Sequence, residues 1–341
     1  MNHLLYPFFS GKNSKLAYFV REALASCVPA AVYRHRLPAL LDSIDRRPDR
    51  DDILARAEYC CRLGQSGAAL PPPAPANRGM PERAPERFRI RDQKRPRHGQ
   101  AYYFDSRALL RYFPPDLEVS LLTGDVTWVP DAPALVKSRP IAADGSNANS
   151  VLLPLNRIRH FLFVRDRRRF ADKSDTAVFR GKIANGPVHK RKREALFERC
   201  FGLPGVDLGD SSPHPVNPAW RKPKLTLAEQ LRHKFVLCIE GHDVASNLKW
   251  VLSSNSLALM PRPEYETWFL EGTLLPGVHY VEIAPDYSDL SEKIGWYAAH
   301  PDAAQKILDA AHAHVARFRD PARERLVALL VLQRYFAATK A

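Results

Sequence analysis

The chain has 341 residues, 45% of them hydrophobic and 26% charged, a balance that fits a globular protein of two ordinary domains and excludes fibrous or wholly disordered classes. Lys and Arg number 51 against 37 Asp and Glu, and the net charge of +14 points to anionic partners: nucleic acid, an anionic membrane or phosphorylated substrates. Five scattered cysteines with no Cys-x-x-Cys spacing speak against structural zinc and suit a reducing compartment.

The opening stretch MNHLLYPFFSGKN lacks a basic segment followed by a long apolar run and a small-residue cleavage site. The longest apolar run, Leu326 to Leu332, is too short to span a bilayer, so the expectation is a cytoplasmic protein. Residues 1–66 mix charged and apolar residues without strand-like runs and are expected to be helical. The stretch PPPAPANRGMPERAPERFRIRDQKRPRHGQ (71–100) reads as an exposed connection without its own core. Beyond Ala101, β-prone runs alternate with helical stretches: LEVSLLT (117–123), TAVFRG (176–181), VDLG (206–209), KFVLCIEG (234–241), SLALM (256–260) and HYVEIA (279–284). That alternation predicts an α/β fold with parallel sheets covered by helices on both faces. Near the end, Asp302 is placed to cap a helix whose stripe is Ile307, Leu308, Ala311, Val315 and Phe318. There is no internal repeat.

Charge is concentrated between Asn156 and Glu194, where thirteen Lys or Arg face four Asp or Glu, a net +9. Such a patch is either a solvated basic face or a polyanion site. Nucleic acid gains no further support, because no zinc finger or RNP-type aromatic motif occurs. In parallel sheets ligands sit where strands end and the next helix begins. KFVLCIEGHDVASNLKW has this form: a strand over Phe235–Ile239, a turn at Gly241, and Asp243 capping a helix that carries Ser246, Asn247 and Lys249. TAVFRGK repeats it, delivering Arg180, Gly181 and Lys182 to a turn that HKRKRE follows. Neither GxxxxGK[ST] nor GxGxxG is present. The lone Asp-x-Asp, Asp49-Arg50-Asp51, follows no strand and reads as a helix start, not a metal site. Trp128, Trp250 and Trp268 suit either stacking on a ligand or core packing.

Several blocks in order resemble glycosyltransferase family 90, the lipopolysaccharide A protein and capsule-associated protein group that includes protein O-glucosyltransferases. They are FRG (179–181), EGHDVASNLKWVLSSNSLALM (240–260), YETWFLEGTLLPGVHYVEI (265–283) and DYSDLSEKIGWYAAHPDAAQKI (286–307). LLTGDVTWVPDAPALVKSRPI (121–141) and NSVLLPLNRIRHF (149–161) are similar to the bacterial lipopolysaccharide branch. The resemblance implies a GT-B-like pair of Rossmann-type domains with a cleft between them, plus a helical N-terminal segment. It divides the chain into a helical segment with the Pro/Arg-rich connection at 1–100, an acceptor-side domain at 101–170 that takes in part of the N-terminal segment, and a donor domain with C-terminal helices at 171–341. It further implies a UDP-hexose donor, glucose or galactose, an anionic glycolipid acceptor of the lipopolysaccharide core, inversion at the anomeric carbon, and no metal or other cofactor. An enzyme of this type would work at the inner face of the inner membrane, held there by its basic patch.

The resemblance also assigns residues. Counting from Glu118, the family's catalytic aspartate falls on Asp125, with Asp131 as the next candidate; the bland alternative is that Gly124-Asp125 is only a turn. An inverting transfer needs one carboxylate to take the acceptor's proton. The family's diphosphate-binding arginine matches Arg193, with Arg191 close behind, and Arg180 is expected to share the contact. Where the family commonly has Ser-x-Arg, this chain has Ala245 and Asn247, so either Ser246 and Lys249 substitute or this branch holds the diphosphate differently. Glu266 fits either a contact to ribose or hexose hydroxyls or a solvated helix face, whereas Glu264 and Glu271 fit the solvated face. His279-Tyr280 is similar to a family pair but suits a structural role. Lys137, Ser138 and Arg139 fall on the acceptor side. Two rivals remain: a non-catalytic polyanion- or membrane-binding protein, and a metal-dependent nucleotidyl or phosphoryl transferase.

Overall fold

A computed structural model describes residues 10–64, 83–183 and 187–339, leaving out the side chains of residues 187–191. The chain is mixed α/β with parallel sheets, and its described residues fall into two compact units.

The amino-terminal unit comprises Ser14–Ile158, Tyr265–Leu270 and the described residues from Phe318. It begins with three helices, α1 (Lys15–Ser26), α2 (Ala30–Asp42) and α3 (Arg50–Cys60), in the segment expected to be helical. Ser14 starts α1 because its hydroxyl accepts the Ala17 amide at 3.3 Å. Asp49 immediately precedes α3 and pairs with Arg47 at 2.7 Å and Arg323 at 3.1 Å, so the Asp-x-Asp is a helix start. The Pro/Arg-rich connection holds more than expected. It contains β1 (Glu86–Arg89), antiparallel to β2 (Glu118–Leu121), with α4 (Gln100–Leu110) between them. β1 is an edge strand whose charged side chains face solvent, so apolar patterning could not reveal it. β3 (Ala134–Val136) pairs parallel with β2, β4 (Ser138–Pro140) follows, and β5 (Ser150–Leu152) joins β3 in parallel.

The carboxyl-terminal unit comprises Arg159–Glu264, Glu271–Arg317 and the described residues before Ser14. Its elements run β6 (Ser174–Gly181), α5 (Pro187–Cys200), β7 (Val206–Asp210), β8 (His233–Leu237), α6 (Leu248–Leu252) and β9 (Leu257–Met260). The chain then contributes β10 (Tyr265–Thr267) to the amino-terminal unit, antiparallel to β4. It returns as β11 (Val281–Glu282), α7 (Leu290–Ala299) and α8 (Pro301–Ala316), and α9 (Pro321–Thr339) closes the amino-terminal unit against α3. Strands β6, β7, β8, β9 and β11 form one wholly parallel sheet in the order β11-β9-β8-β6-β7.

A parallel sheet is buried on both faces, which is why its strands are apolar runs and could be read from the sequence. Ala177, Val178 and Phe179 of β6 and Phe235, Val236 and Leu237 of β8 are all buried. Phe197 of α5 packs edge-on against Phe179 and also meets Trp220. Burial of each such side chain contributes about 1.5–3 kcal/mol. On α8 the stripe Ile307, Leu308, Ala311 and Val315 is buried as expected, but Phe318, also buried, lies past the end of the helix, the cap position belongs to His300, and Asp302 lies in the first turn.

Candidate functional site

Strand order alone marks one place on the carboxyl-terminal unit. From β6 the chain goes outward to β7, then crosses back to place β8 on the other side of β6. The direction of winding reverses between β6 and β8, and in open parallel sheets ligands bind outside the carboxyl ends of two such strands. Those ends carry Gly181-Lys182 and Ile239-Glu240-Gly241.

Arg193 comes from α5 and joins the two ends. Its guanidinium donates to the Lys182 carbonyl at 2.7 Å and to the Ile239 carbonyl at 3.0 Å. Gly241 is required for this approach, since a Cβ there would lie 2.8 Å from an Arg193 terminal nitrogen. Gly181 is required as well, because its Cβ would sit 2.6 Å from the Phe179 ring. The side chain makes no ion pair among the described residues. Burial, and then the neighbouring charge of Arg159, bring its pKa down to about 10. A cation held by carbonyls, half-buried, keeps its charge for an incoming anion, and a planar guanidinium matches phosphate oxygens.

The other donor-side candidates divide. Lys182 is exposed beside Arg193. Arg180 already has a carboxylate: it donates to Asp207 Oδ2 at 2.8 Å, and Lys222 reaches Asp207 Oδ1 at 2.7 Å. Arg191 lies on α5, with its side chain outside the described ones. The turn after β8 differs from expectation, for Gly241–Asn247 is a series of bends and the helix begins only at Leu248. Asp243 therefore caps no helix. Asn247 takes the position before α6, and its amide side chain donates to the Leu237 carbonyl at 3.0 Å, stitching the turn to β8. Ser246 is half-buried in this turn. Lys249 is fully buried and donates to the equally buried Glu271, so both are core residues and Glu271 is not on a solvated face.

Asp210, at the end of β7, was not picked out from the sequence. It is fully buried, and its Oδ1 accepts the Ser212 amide at 2.8 Å and the Ile183 amide at 3.4 Å, fixing the turn after β6 to the turn after β7. A carboxylate closing a parallel strand was the available signal. Beyond it, Ser211, Ser212, Arg221, Lys222 and Lys224 line a groove of about 550 Å³. Lys192 was also missed as an individual. It pairs with Glu240 at 2.8 Å and Glu264 at 2.9 Å, beside Gly241.

In the amino-terminal unit, Gly124 adopts φ 100°, a conformation that suits glycine, and turns the chain after β2 so that Asp125 meets Lys137. Lys137 is buried, whereas Asp125 remains 18% exposed at its side chain. Ser138 is buried and bonds both the amide and the carbonyl of Val126 at 3.1 Å, which fixes the Asp125 turn from below. Arg139 is fully buried. It donates to Glu266 Oε1 at 2.8 Å and to the carbonyls of Tyr59 at 2.8 Å and Ser150 at 3.0 Å. Tyr59 donates to Glu266 Oε2 at 2.5 Å, and burial followed by the Glu266 charge pushes its phenol pKa up. Glu266 thus lies on β10, paired with Arg139, in the amino-terminal unit. Asp131 is exposed. His279 accepts the Leu275 amide at 2.9 Å, a structural contact, and burial lowers its pKa. Trp250 and Trp268 are buried and Trp128 is half-buried. Among the described residues no group of three or more His, Cys, Asp or Glu is arranged to hold a metal ion.

Residues 164–320, which include the whole parallel sheet, match the model of Glycosyl transferase family 90. Over 325 residues the chain is 36% identical to a protein named O-glucosyltransferase LpsA from Dichelobacter nodosus, covering 95% of each. Shorter similarities reach Uncharacterized protein 035R of Invertebrate iridescent virus 3, 34% identical over 79 residues, 23% of this chain and 7% of that protein. Uncharacterized protein 027R of Frog virus 3 (isolate Goorha) is 35% identical over 104 residues, 29% of this chain and 10% of that protein.

Proposed function

The chain belongs to glycosyltransferase family 90 and is a glycosyltransferase, and we propose that it moves glucose from UDP-glucose to a sugar of a lipopolysaccharide core, with inversion and without a metal ion. The observation that carries the donor half is Arg193, a cation without a carboxylate partner, held across the ends of β6 and β8 at the switch point of the parallel sheet. Its charge, with that of Lys182, suits the diphosphate and neutralises UDP as it leaves. Glucose is favoured over galactose because the nearly full-length relative is named an O-glucosyltransferase. In this reading the two units are the Rossmann-type halves of a GT-B-like enzyme, the carboxyl-terminal one holding the nucleotide sugar.

Asp125 is the general base. Held by Lys137 and still open to solvent, it takes the proton of the acceptor hydroxyl as that oxygen attacks the anomeric carbon. The bond from carbon to the β-phosphate oxygen breaks on the opposite face, and an α-linked donor gives a β-linked product. Arg139 and Glu266 act at one remove: their buried pair fixes β4 to β10 behind Lys137 and Ser138. The acceptor is lipid-linked, and the exposed Arg159, Arg165, Arg167 and Arg168 favour a position on the anionic cytoplasmic leaflet. Among the described residues no helix is long and apolar enough to cross a membrane.

The test is incubation of the purified protein with a lipopolysaccharide core acceptor, a panel of nucleotide sugars and EDTA. The expected result is transfer of glucose from UDP-glucose with release of UDP. Transfer only from another nucleotide sugar, or loss of activity on chelation that added metal restores, would overturn this reading.

A further inference from the structure

The two long sides of α1 differ in chemistry. At 100° per residue, Tyr18 and Glu22 fall on one side, and both are buried. Tyr18 donates to Asp105 at 2.7 Å, and Arg157 holds Asp105 at 2.7 Å and Glu22 at 3.3 Å, so this side is fixed to the amino-terminal unit. On the other side Leu16, Val20 and Leu24 are 76%, 49% and 67% exposed. With Ala23 and Cys27 they occupy an arc of about 100° that carries no charged residue. The apolar surface continues past the helix in Val28 and Val32, both also exposed.

A contiguous exposed apolar stripe of this kind is a candidate interaction surface. The surrounding charge says what covers it. Between Ser14 and Arg36 there are four Lys or Arg, namely Lys15, Arg21, Arg34 and Arg36, against one acid, Glu22, which is buried. Cations beside an exposed apolar arc are the pattern of a helix lying in the plane of an anionic bilayer, with its apolar side among the upper acyl carbons and its basic residues at the phosphates. A protein partner would need acidic residues around an apolar patch, whereas a bilayer of anionic lipid supplies both.

We propose that the outward side of α1 inserts shallowly into the anionic membrane that carries the acceptor. This rests on the lipid-linked acceptor of the proposed function and adds to it a hydrophobic contact that salt alone does not release. Two signals, one apolar and one basic, hold a protein at a surface where either alone is weak.

The structure supplies the reporter. Cys27 is the exposed cysteine within the arc, and Cys60, Cys61, Cys200 and Cys238 are buried. The full-length protein, labelled at Cys27 with an environment-sensitive fluorophore, is mixed with phosphatidylethanolamine–phosphatidylglycerol vesicles and, in parallel, sedimented with them. The label should brighten and shift to the blue, and part of the protein should stay bound in high salt. The exposed-site double variant Leu16→Ser/Leu24→Ser should lower vesicle partitioning about tenfold, with UDP affinity unchanged, and Leu16→Phe should raise it. Sedimentation without a change at the label, or undiminished partitioning of the double variant, would place the contact elsewhere and overturn the proposal while leaving the membrane reading intact. A blue shift that grows with protein concentration in the absence of vesicles would assign the stripe to a second copy instead. Failure of the unlabelled protein to bind vesicles at any salt would remove the membrane reading and this proposal together.

Discussion

Arg139 of the amino-terminal unit and Arg193 of the carboxyl-terminal unit are held in opposite ways, although other buried cations of the carboxyl-terminal unit, such as Lys249, are paired with carboxylates too. In the amino-terminal unit Arg139 and Lys137 are deep, and each has a carboxylate, Glu266 and Asp125. In the carboxyl-terminal unit Arg193 has carbonyls alone, at the ends of two parallel strands, and its pKa is pulled down to about 10. A net charge of +14 is therefore a poor guide to the ligand site. A cation that keeps an uncompensated charge is costly to desolvate, and such perturbed groups are enriched at functional sites.

The comparison breaks most visibly at Asp125. Asp125→Asn keeps the shape of the turn and should lower turnover by about 10²–10⁴-fold, with UDP affinity retained, as steady-state kinetics and a binding titration would report. If turnover is near normal, the base is elsewhere and Asp131 is next. Arg139→Leu should act on folding and not on donor binding, since it leaves Glu266 buried without its cation, with the Tyr59 hydroxyl still donating to it. A loss of about 3–5 kcal/mol is expected for such a half-removed pair, read from urea unfolding; a change within error would mean that Glu266 is reached by water or ligand. Gly241→Ala should weaken UDP less, below about tenfold, by pushing Arg193 aside through a Cβ at 2.8 Å. Arg180→Ala separates the two arginines that the sequence groups together. Because Arg180 is already paired with Asp207, UDP affinity should fall by less than about threefold, under 1 kcal/mol.

How much of this could be read beforehand follows from the kind of residue involved. Strands buried on both faces announce themselves as apolar runs, so TAVFRG, KFVLCIEG and SLALM were legible, and with them the parallel sheet. β1 was not, because an edge strand is specified by its backbone partner and its side chains are those of a solvated surface. The helix expected after Asp243 starts late because the Asn247 side chain ties the turn back to Leu237, ten residues upstream. Glycines and basic residues at strand ends could be marked as candidates from spacing. Which arginine was already paired could not, since Arg180 finds Asp207 and Arg139 finds Glu266 across 27 and 127 residues. The proposed role of Asp125 rests on family resemblance; spacing alone leaves it a turn residue.

The most direct measurement is a calorimetric titration of UDP, without metal, into the wild-type protein and into Arg193→Ala. Removing one charge-assisted contact to the diphosphate should cost about 1.5–3 kcal/mol, a loss of roughly 10- to 150-fold in affinity, with the thermal transition preserved. Unchanged UDP affinity in a folded Arg193→Ala protein would contradict the account, because the half-buried arginine held by carbonyls at the switch point would then have no part in holding the donor.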